Sequence, residues 1–173
     1  YTYVASRLLL YSLRKQVIGR LWDHPHIYDH VNKAVTKNVY DENLLTKYQR
    51  KDFDRMENWI NHERDYTFTY AGLRQVIDKY LVQDRSSGNI YETPQFMYML
   101  IAMTLFKDYG ENRLDYVKRY YDAISSFKIN IPTPIMAGVR TPLRQFASCV
   151  LVDTDDSLPS IFSSDMAIGR YVA

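Results

Sequence analysis

Apolar residues recur at helical spacing along most of the first 127 residues. This periodicity predicts helices at residues 2–18, 27–35, 42–48, 53–63, 70–78, 94–109 and 113–127. Capping residues support the boundaries, because Asp52, Thr93 with Pro94, and Asn112 precede predicted helices, and Gly19 follows one. The first part of the chain is therefore expected to be mainly helical.

Shorter apolar runs interrupt and follow these helices. Residues 80–83 and 89–92 flank a polar turn that contains a glycine, which predicts a β-hairpin. Residues 146–153 form a short, largely apolar run before an acidic loop, which predicts a buried strand that holds Cys149. Residues 157–171 return to helical spacing and predict a final helix.

Three prolines, at positions 132, 134 and 142, precede the predicted strand. Each proline fixes its own φ and disfavours helical geometry at the residue before it, so we expect a rigid, non-helical approach to the strand. The strand and the last helix would then open an α/β domain. One buried strand cannot satisfy its own backbone groups, so this unit needs partner strands that the 173 residues do not supply.

Composition is that of an ordinary soluble domain, with 46% hydrophobic and 24% charged residues. The net charge of +2 gives no general attraction to nucleic acid or to an anionic membrane. One cysteine excludes an intrachain disulfide and favours a reducing compartment. The first residues have no charged segment and no methionine, so they are not expected to be a signal peptide; they resemble the middle of a longer chain.

Candidate chemistry taken from the residues alone leaves alternatives open. A lone strand cysteine is most often a small buried hydrophobe, and a redox role for Cys149 would need a second thiol from elsewhere. His24, His26 and His30 are close enough for a zinc site, but no ligand set is complete, so surface or capping histidines are favoured. The acidic residues 153–157 predict either a helix cap or a ligand-binding edge.

One stretch carries a resemblance. Pro-Thr-Pro-Ile-Met-Ala-Gly-Val-Arg-Thr-Pro at 132–142 and Arg-Gln-Phe-Ala-Ser-Cys at 144–149 resemble the catalytic (large) subunit of class I ribonucleotide reductases. The likeness runs in collinear order from about Tyr3 to the last residue, with further matches at residues 79–82, 90–95, 117–123 and 156–158. It implies a mainly helical N-terminal region that leads into the first strand-helix unit of a ten-stranded α/β barrel, incomplete in this chain.

The resemblance also implies three domains and an activity. Residues 1–20 would be the last helix of an ATP-cone-like regulatory domain, residues 21–127 a helical domain with a small hairpin, and residues 128–173 the start of the catalytic barrel. The complete subunit would reduce ribonucleoside diphosphates to deoxyribonucleoside diphosphates by thiyl-radical chemistry, supplying DNA replication. This part alone is expected to be inactive. The alternative is a non-catalytic nucleotide-binding or interaction module derived from the same fold.

Site residues follow position by position from the resemblance. Cys149 matches one of the redox-active thiols, and Thr133, Ser148 and Cys149 match residues at the substrate. Residues Asp156, Ser157 and Leu158 resemble the site of a deoxynucleotide effector at a dimer interface, and Lys15 matches a lysine that contacts the ATP of the regulatory domain. Two departures are Ser12, where the family often has histidine, and Ala147, where many relatives have serine.

The resemblance implies no metal and no cofactor in this chain itself. A di-iron or dimanganese radical cofactor would lie on a partner small subunit, and ATP and dNTPs would act as effectors. Other expected partners are the remainder of the large subunit, a second large subunit as homodimer, and thioredoxin or glutaredoxin as reductant. Neither nucleic acid nor a membrane is expected as a partner, and the expected location is the cytoplasm.

Overall fold

The computed structural model describes residues 1–143, 147 and 149–172 of the chain. Its α-helices are α1 Thr2–Ile18, α2 Ile27–Thr36, α3 Asn43–Thr46, α4 Arg50–Glu57, α5 Tyr70–Gln75, α6 Pro94–Phe106, α7 Arg113–Ser125, α8 Thr133–Gly138 and α9 Leu158–Val172. A π-helical segment follows α5 directly, and short 3₁₀ turns lie at His62–Thr67 and Gly110–Asn112. Among the described residues, none of these helices is long and apolar enough to span a membrane.

Helix α6 lies at the centre of the molecule. Its residues from Pro94 to Met103 are all buried, so the helix is apolar on every side and other elements surround it. Helix α7 packs along it through Leu114, Val117 and Tyr121. The start signal at Thr93 and Pro94 is confirmed, since Thr93 is the N-cap and the proline occupies the first turn, where no backbone N–H is needed.

Helix α1 shares this helical core. Leu10, Leu13 and Arg14 are buried, and the helix packs against α5 and the hairpin. The predicted stop at Gly19 is confirmed, because its φ of 77° and its bond to the carbonyl of Lys15 make a left-handed helix end. The opposite face of α1 leaves Val4 and other apolar side chains exposed.

The predicted hairpin is present as the antiparallel strands β1 Gln83–Asp84 and β2 Asn89–Ile90. Its turn is held by the carboxylate of Asp84, which accepts hydrogen bonds from the backbone N–H of Ser86 and from the hydroxyls of Ser86 and Ser87. These bonds lower the pKa of Asp84 to about 2.

The predicted start of α4 is wrong by one turn. Gln49, not Asp52, is the N-cap, and the helix ends at Glu57 instead of continuing to residue 63. The carboxylate of Asp52 reaches back and accepts the backbone N–H of Gln49 at 3.0 Å. An acidic residue at the third helical position can also cap a helix, by accepting the backbone N–H of the N-cap residue. The residue type alone therefore places the predicted helix start three residues too late.

The expectation that the prolines exclude a helix is also wrong. Pro132 is the N-cap of α8, and Pro134 lies in its first turn. A proline in the first turn loses no hydrogen bond, and its fixed φ already suits the helix. The two prolines therefore begin a short helix instead of preventing one.

Among the described residues of 146–153, the predicted buried strand is not formed. These residues are not paired in a strand, and Cys149, Val150 and Leu151 are exposed, the last at 97%. Phe146 lies outside the described residues. A strand without neighbours leaves its backbone groups unpaired, so the apolar sequence alone does not hold this segment in extended, buried form. The helix predicted after it is present as α9, with several apolar side chains exposed.

Candidate functional site

The hydroxyl of Thr133 is presented at the surface by the first residue of α8. It lies 3.4 Å from the hydroxyl of Tyr80, the last residue of the π-helical segment Val76–Tyr80. The hydrogen bond with Thr133 lowers the pKa of Tyr80. Two hydroxyl groups from distant parts of the chain therefore meet at one exposed point.

A fully buried ion pair fixes α8 in this position. Arg140 and Glu92 have no solvent exposure, and the Nε of Arg140 donates to both carboxylate oxygens at 3.1 and 2.9 Å. The guanidinium also donates to the carbonyl of Met136 within α8 at 2.6 Å and to the carbonyl of Tyr80 at 2.7 Å. One side chain thus joins α8, the π-helical segment and the residue that follows the hairpin.

The carboxylate of Glu92 accepts further hydrogen bonds. Its carboxylate accepts the backbone N–H of Val82 at 2.7 Å and the hydroxyl of Tyr40 at 2.9 Å. Burial raises the pKa of Tyr40 well above its usual value, with the Glu92 charge acting in the same direction, so the phenol remains a donor. The imidazole of His30 lies 3.2 Å from the same phenol. The network therefore extends from the surface at Thr133 to the core.

Cys149 is exposed and lies in the irregular segment that follows α8. Ser148, expected beside it at the substrate, lies outside the described residues. Among the described residues, no hydrogen bond joins Thr133 to Cys149, so direct polar contact does not bring these two expected site residues together.

The acidic segment after Cys149 folds back onto the start of α9. The backbone N–H of Asp155 donates to Ser160 Oγ at 2.8 Å, and Thr154 bonds the hydroxyl of Ser164 at 2.6 Å. Ser157 accepts a long hydrogen bond from the N–H of Ser160, in the manner of a helix cap. Asp156, Ser157 and Leu158 are exposed together at this helix end.

Lys15 is also exposed, near the C-terminal end of α1. Among the described residues, no hydrogen bond or ion pair connects its side chain with Thr133, Cys149 or the start of α9. Direct polar contacts therefore do not join the expected substrate, effector and ATP residues among the described part of the chain.

The histidines have structural roles. His26 caps α2 by accepting the N–H of Tyr28 at 3.1 Å, which confirms the capping interpretation for this residue. His24 and His30 turn inward, His24 stacking on His62 at 3.5 Å and His30 on Phe96 at 4.5 Å between ring centroids, so a surface role is wrong for both. Within the described part of the chain, no group of three or more His, Cys, Asp or Glu residues is arranged to hold a metal ion.

Comparison with known proteins shows which proteins this chain is similar to. A family model described as the all-alpha domain of ribonucleotide reductase matches residues 66–144. The ribonucleoside-diphosphate reductase subunit alpha of Haemophilus influenzae is 54% identical over the whole chain, and the ribonucleoside-diphosphate reductase 1 subunit alpha of Escherichia coli K12 is 52% identical. The ribonucleoside-diphosphate reductase subunit alpha of Enterobacteria phage T4 is 46% identical, again over the whole chain. Residues 66–144 therefore belong to the all-alpha domain family of ribonucleotide reductase, and the whole chain is similar to ribonucleoside-diphosphate reductase alpha subunits.

The chain spans about a quarter of the length of these reductase alpha subunits, 23% in each of the three. The range matched by the all-alpha domain model contains the π-helical segment, the hairpin and the anchored helix α8. Tyr80, Glu92, Thr133 and Arg140 therefore all lie inside the recognised domain of the reductase alpha subunit.

Sequence reasoning did not find Arg140 and Glu92 as the residues that hold the Thr133 helix. The sequence near these residues shows only that both lie beside a helix end: Glu92 precedes Thr93, the N-cap of α6, and Arg140 follows α8. Their pairing spans 48 positions, and no periodicity reveals it.

Proposed function

We propose that this chain is part of the alpha subunit of a ribonucleoside-diphosphate reductase and contributes to the reduction of ribonucleoside diphosphates to deoxyribonucleoside diphosphates. The observation that carries the proposal is identity of 54% and 52% to such subunits over the whole chain. The anchored hydroxyl of Thr133 and the accessible thiol of Cys149 support it, since both groups are free to meet a substrate.

The domain division follows the same proposal. Residues 1–20 would end a regulatory domain, residues 21–127 would form the helical domain, and residues 128–173 would open a ten-stranded α/β barrel. Apolar side chains on Val150, Leu151 and α9 are exposed in this chain, which agrees with their burial by strands and helices from the rest of the subunit.

Cys149 is proposed as one arm of a dithiol reductant. A thiyl radical on a cysteine outside this chain takes the hydrogen from C3′ of the ribose and later returns it. The 2′-hydroxyl leaves as water, while Cys149 and a second outside cysteine supply two electrons and two protons and close a disulfide. Thioredoxin or glutaredoxin then reduces that disulfide. The exposure of Cys149 suits both the substrate and the second thiol.

The remaining site assignments are proposals of the same kind. Thr133 and Ser148 would contact the substrate diphosphate, since hydroxyl donors bond well to charged phosphate oxygens. Asp156, Ser157 and Leu158 would contact a deoxynucleotide effector, and Lys15 would contact ATP. A second alpha subunit would pack at α9, and a small subunit with a di-iron or dimanganese centre would generate the radical, all in the cytoplasm.

The direct test joins this chain to the remainder of the subunit and measures reduction of a ribonucleoside diphosphate with a thioredoxin-type reductant. Cys149→Ser should abolish turnover, because a hydroxyl cannot form the disulfide that carries the two electrons away. Ala147→Ser, two residues away and also exposed, is the matched control and should remain active. Full activity in Cys149→Ser would contradict the proposal. Nucleotide binding without any turnover by the assembled wild type would favour the non-catalytic module.

Thr133 gives a second test in the same assembled enzyme. Thr133→Val keeps the side-chain shape but removes the hydroxyl, so KM for the diphosphate should rise about tenfold or more, the effect of one lost hydrogen bond to a charged group. Thr133→Ser retains the hydroxyl and should stay within about threefold of the wild type. Equal KM values for the valine and serine variants would show that the hydroxyl does not bind the substrate.

A further inference from the structure

A groove of about 660 Å³ lies between the end of α1, the middle of α2 and strand β2. Its walls come from residues 16–20, from α2 between Asp29 and Lys37, and from residues 89–91. This volume is in the range of cavities that hold small molecules. The groove is separate from Thr133, Cys149 and the start of α9, and Lys15 does not line it.

Three cationic side chains line this groove: Arg20, Lys33 and Lys37. Among the described residues, none of the three has a carboxylate within ion-pair distance, although most other arginines of the helical region do. The one acidic side chain that lines the groove, Asp29, lies 3.5 Å from Arg50 and is partly neutralised by it. The chain as a whole carries a net charge of only +2, so these three charges are a local concentration.

The groove also has apolar lining residues. Val17, Ile18, Pro25, Ala34 and Ile90 line it, and the residue beside Ile90 is an aromatic tyrosine. The walls are fixed to each other, because the amide of Gln16 donates to the carbonyl of Gly88 at 2.9 Å and so ties α1 to the hairpin. A preformed groove lined by both apolar and cationic side chains suits a ligand with two chemically different ends.

We propose that this groove binds a small organic polyanion, with a phosphate chain held by Arg20, Lys33 and Lys37 and an apolar ring against the apolar lining residues. Lysine and arginine hold phosphate oxygens through charge-assisted hydrogen bonds, which are about twice as strong as neutral ones. A nucleoside polyphosphate is the class of compound that combines both ends. The proposal does not depend on the reductase activity, since it uses none of the residues assigned to it.

The test is calorimetric titration of the full chain with ATP, inorganic tripolyphosphate and adenosine. All proteins carry Lys15→Gln, so that the ATP contact expected at that residue does not contribute. ATP should bind more tightly than either part alone, because only ATP can contact both the cationic and the apolar lining residues. The double variant Lys33→Gln with Lys37→Gln should weaken ATP and tripolyphosphate at least about tenfold.

The matched control is Lys51→Gln with Lys128→Gln, which removes the same charge from two exposed lysines outside the groove. Its affinity for ATP should stay within about twofold of the parent. An equal loss in both double variants would overturn the proposal, because it would mean attraction by net charge alone. Absence of ATP binding at about 1 mM, or binding of a short oligonucleotide without ATP binding, would also overturn it.

Discussion

Replacing Glu92 by glutamine should destabilise the chain by about 3–5 kcal/mol, the usual cost of leaving one member of a buried ion pair without its partner. Arg140 would keep its positive charge at a position with no solvent exposure. The amide could still accept from the N–H of Val82 or from Tyr40, but it offers one acceptor oxygen where the carboxylate has two. The loss should appear as a lower urea midpoint, followed by circular dichroism.

The matched control for this prediction is Asp108→Asn, the same carboxylate-to-amide change in an exposed pair with Lys47. Solvent already screens that pair, so its loss should not move the urea midpoint measurably. A second variant, Glu92→Leu with Arg140→Met, removes both charges and should recover part of the lost stability. Equal midpoints for Glu92→Gln and Asp108→Asn would contradict the importance of the buried pair.

Stability should fall steeply as the pH is lowered from about 6.5 towards 4. The rings of His24, His30 and His62 surround Phe96, and burial is the main cause that lowers their pKa values to about 4, 4 and 3. In the unfolded chain these histidines would have the ordinary value of 6.5. The unfolded state therefore binds more protons across this interval, and acid favours unfolding.

One carboxyl group acts in the opposite direction. Burial raises the pKa of Asp65 to about 6, so this group stabilises the folded state below the unfolded value of 3.8 and loses that contribution as the pH rises through 6. The three imidazoles together take up more protons on unfolding than the one carboxyl releases. The partial exposure of His24 makes its proton uptake smaller than that of the other two rings. We expect a net uptake of roughly one to two protons on unfolding near pH 5.

The measurement is the free energy of unfolding in urea at several pH values between 7 and 4.5, since its slope against pH gives the proton uptake. His62→Gln removes one titrating ring of the three, so its slope should be smaller by up to one proton. A flat dependence in the wild type, or an unchanged slope in His62→Gln, would contradict the role of these buried rings.

Most of the helical architecture could be predicted from sequence because its signals are local. The stop at Gly19 needs only a residue that tolerates a positive φ, and the start of α6 needs only Thr93 and Pro94 in order. The start of α4 shows the limit of such signals. Asp52 was recognised as a capping residue, but its carboxylate acts three positions upstream, and residue type alone does not distinguish the two cases.

The residues that hold the candidate site could not be predicted in this way. Charged side chains are expected at the surface, yet Arg14 and Arg140 are buried at 1% and 0% exposure. Arg14 is accommodated by the carbonyl of His62 and the carboxylate of Asp65, about 50 positions away in sequence. Such partners come together only in the folded chain, so local sequence patterns do not predict them.

The segment around Cys149 departed from prediction for a different reason. Its apolar residues favour a strand, but a strand also needs neighbours to pair with its backbone, and the described residues offer none at this position. The pattern therefore does not describe this chain alone, and burial of the segment in a larger assembly stays a proposal.

The guanidinium of Arg140 has a consequence for how this sequence can vary in evolution. It reaches the carbonyls of Met136 and Tyr80 and the carboxylate of Glu92 through three different nitrogens. Lysine would preserve the charge, but all three of its N–H donors are on one nitrogen, so it could not reach acceptors that are bonded here by three separate nitrogens. Among descendants that keep this arrangement, we expect arginine at 140 and glutamate at 92 to be inherited together and replaced together.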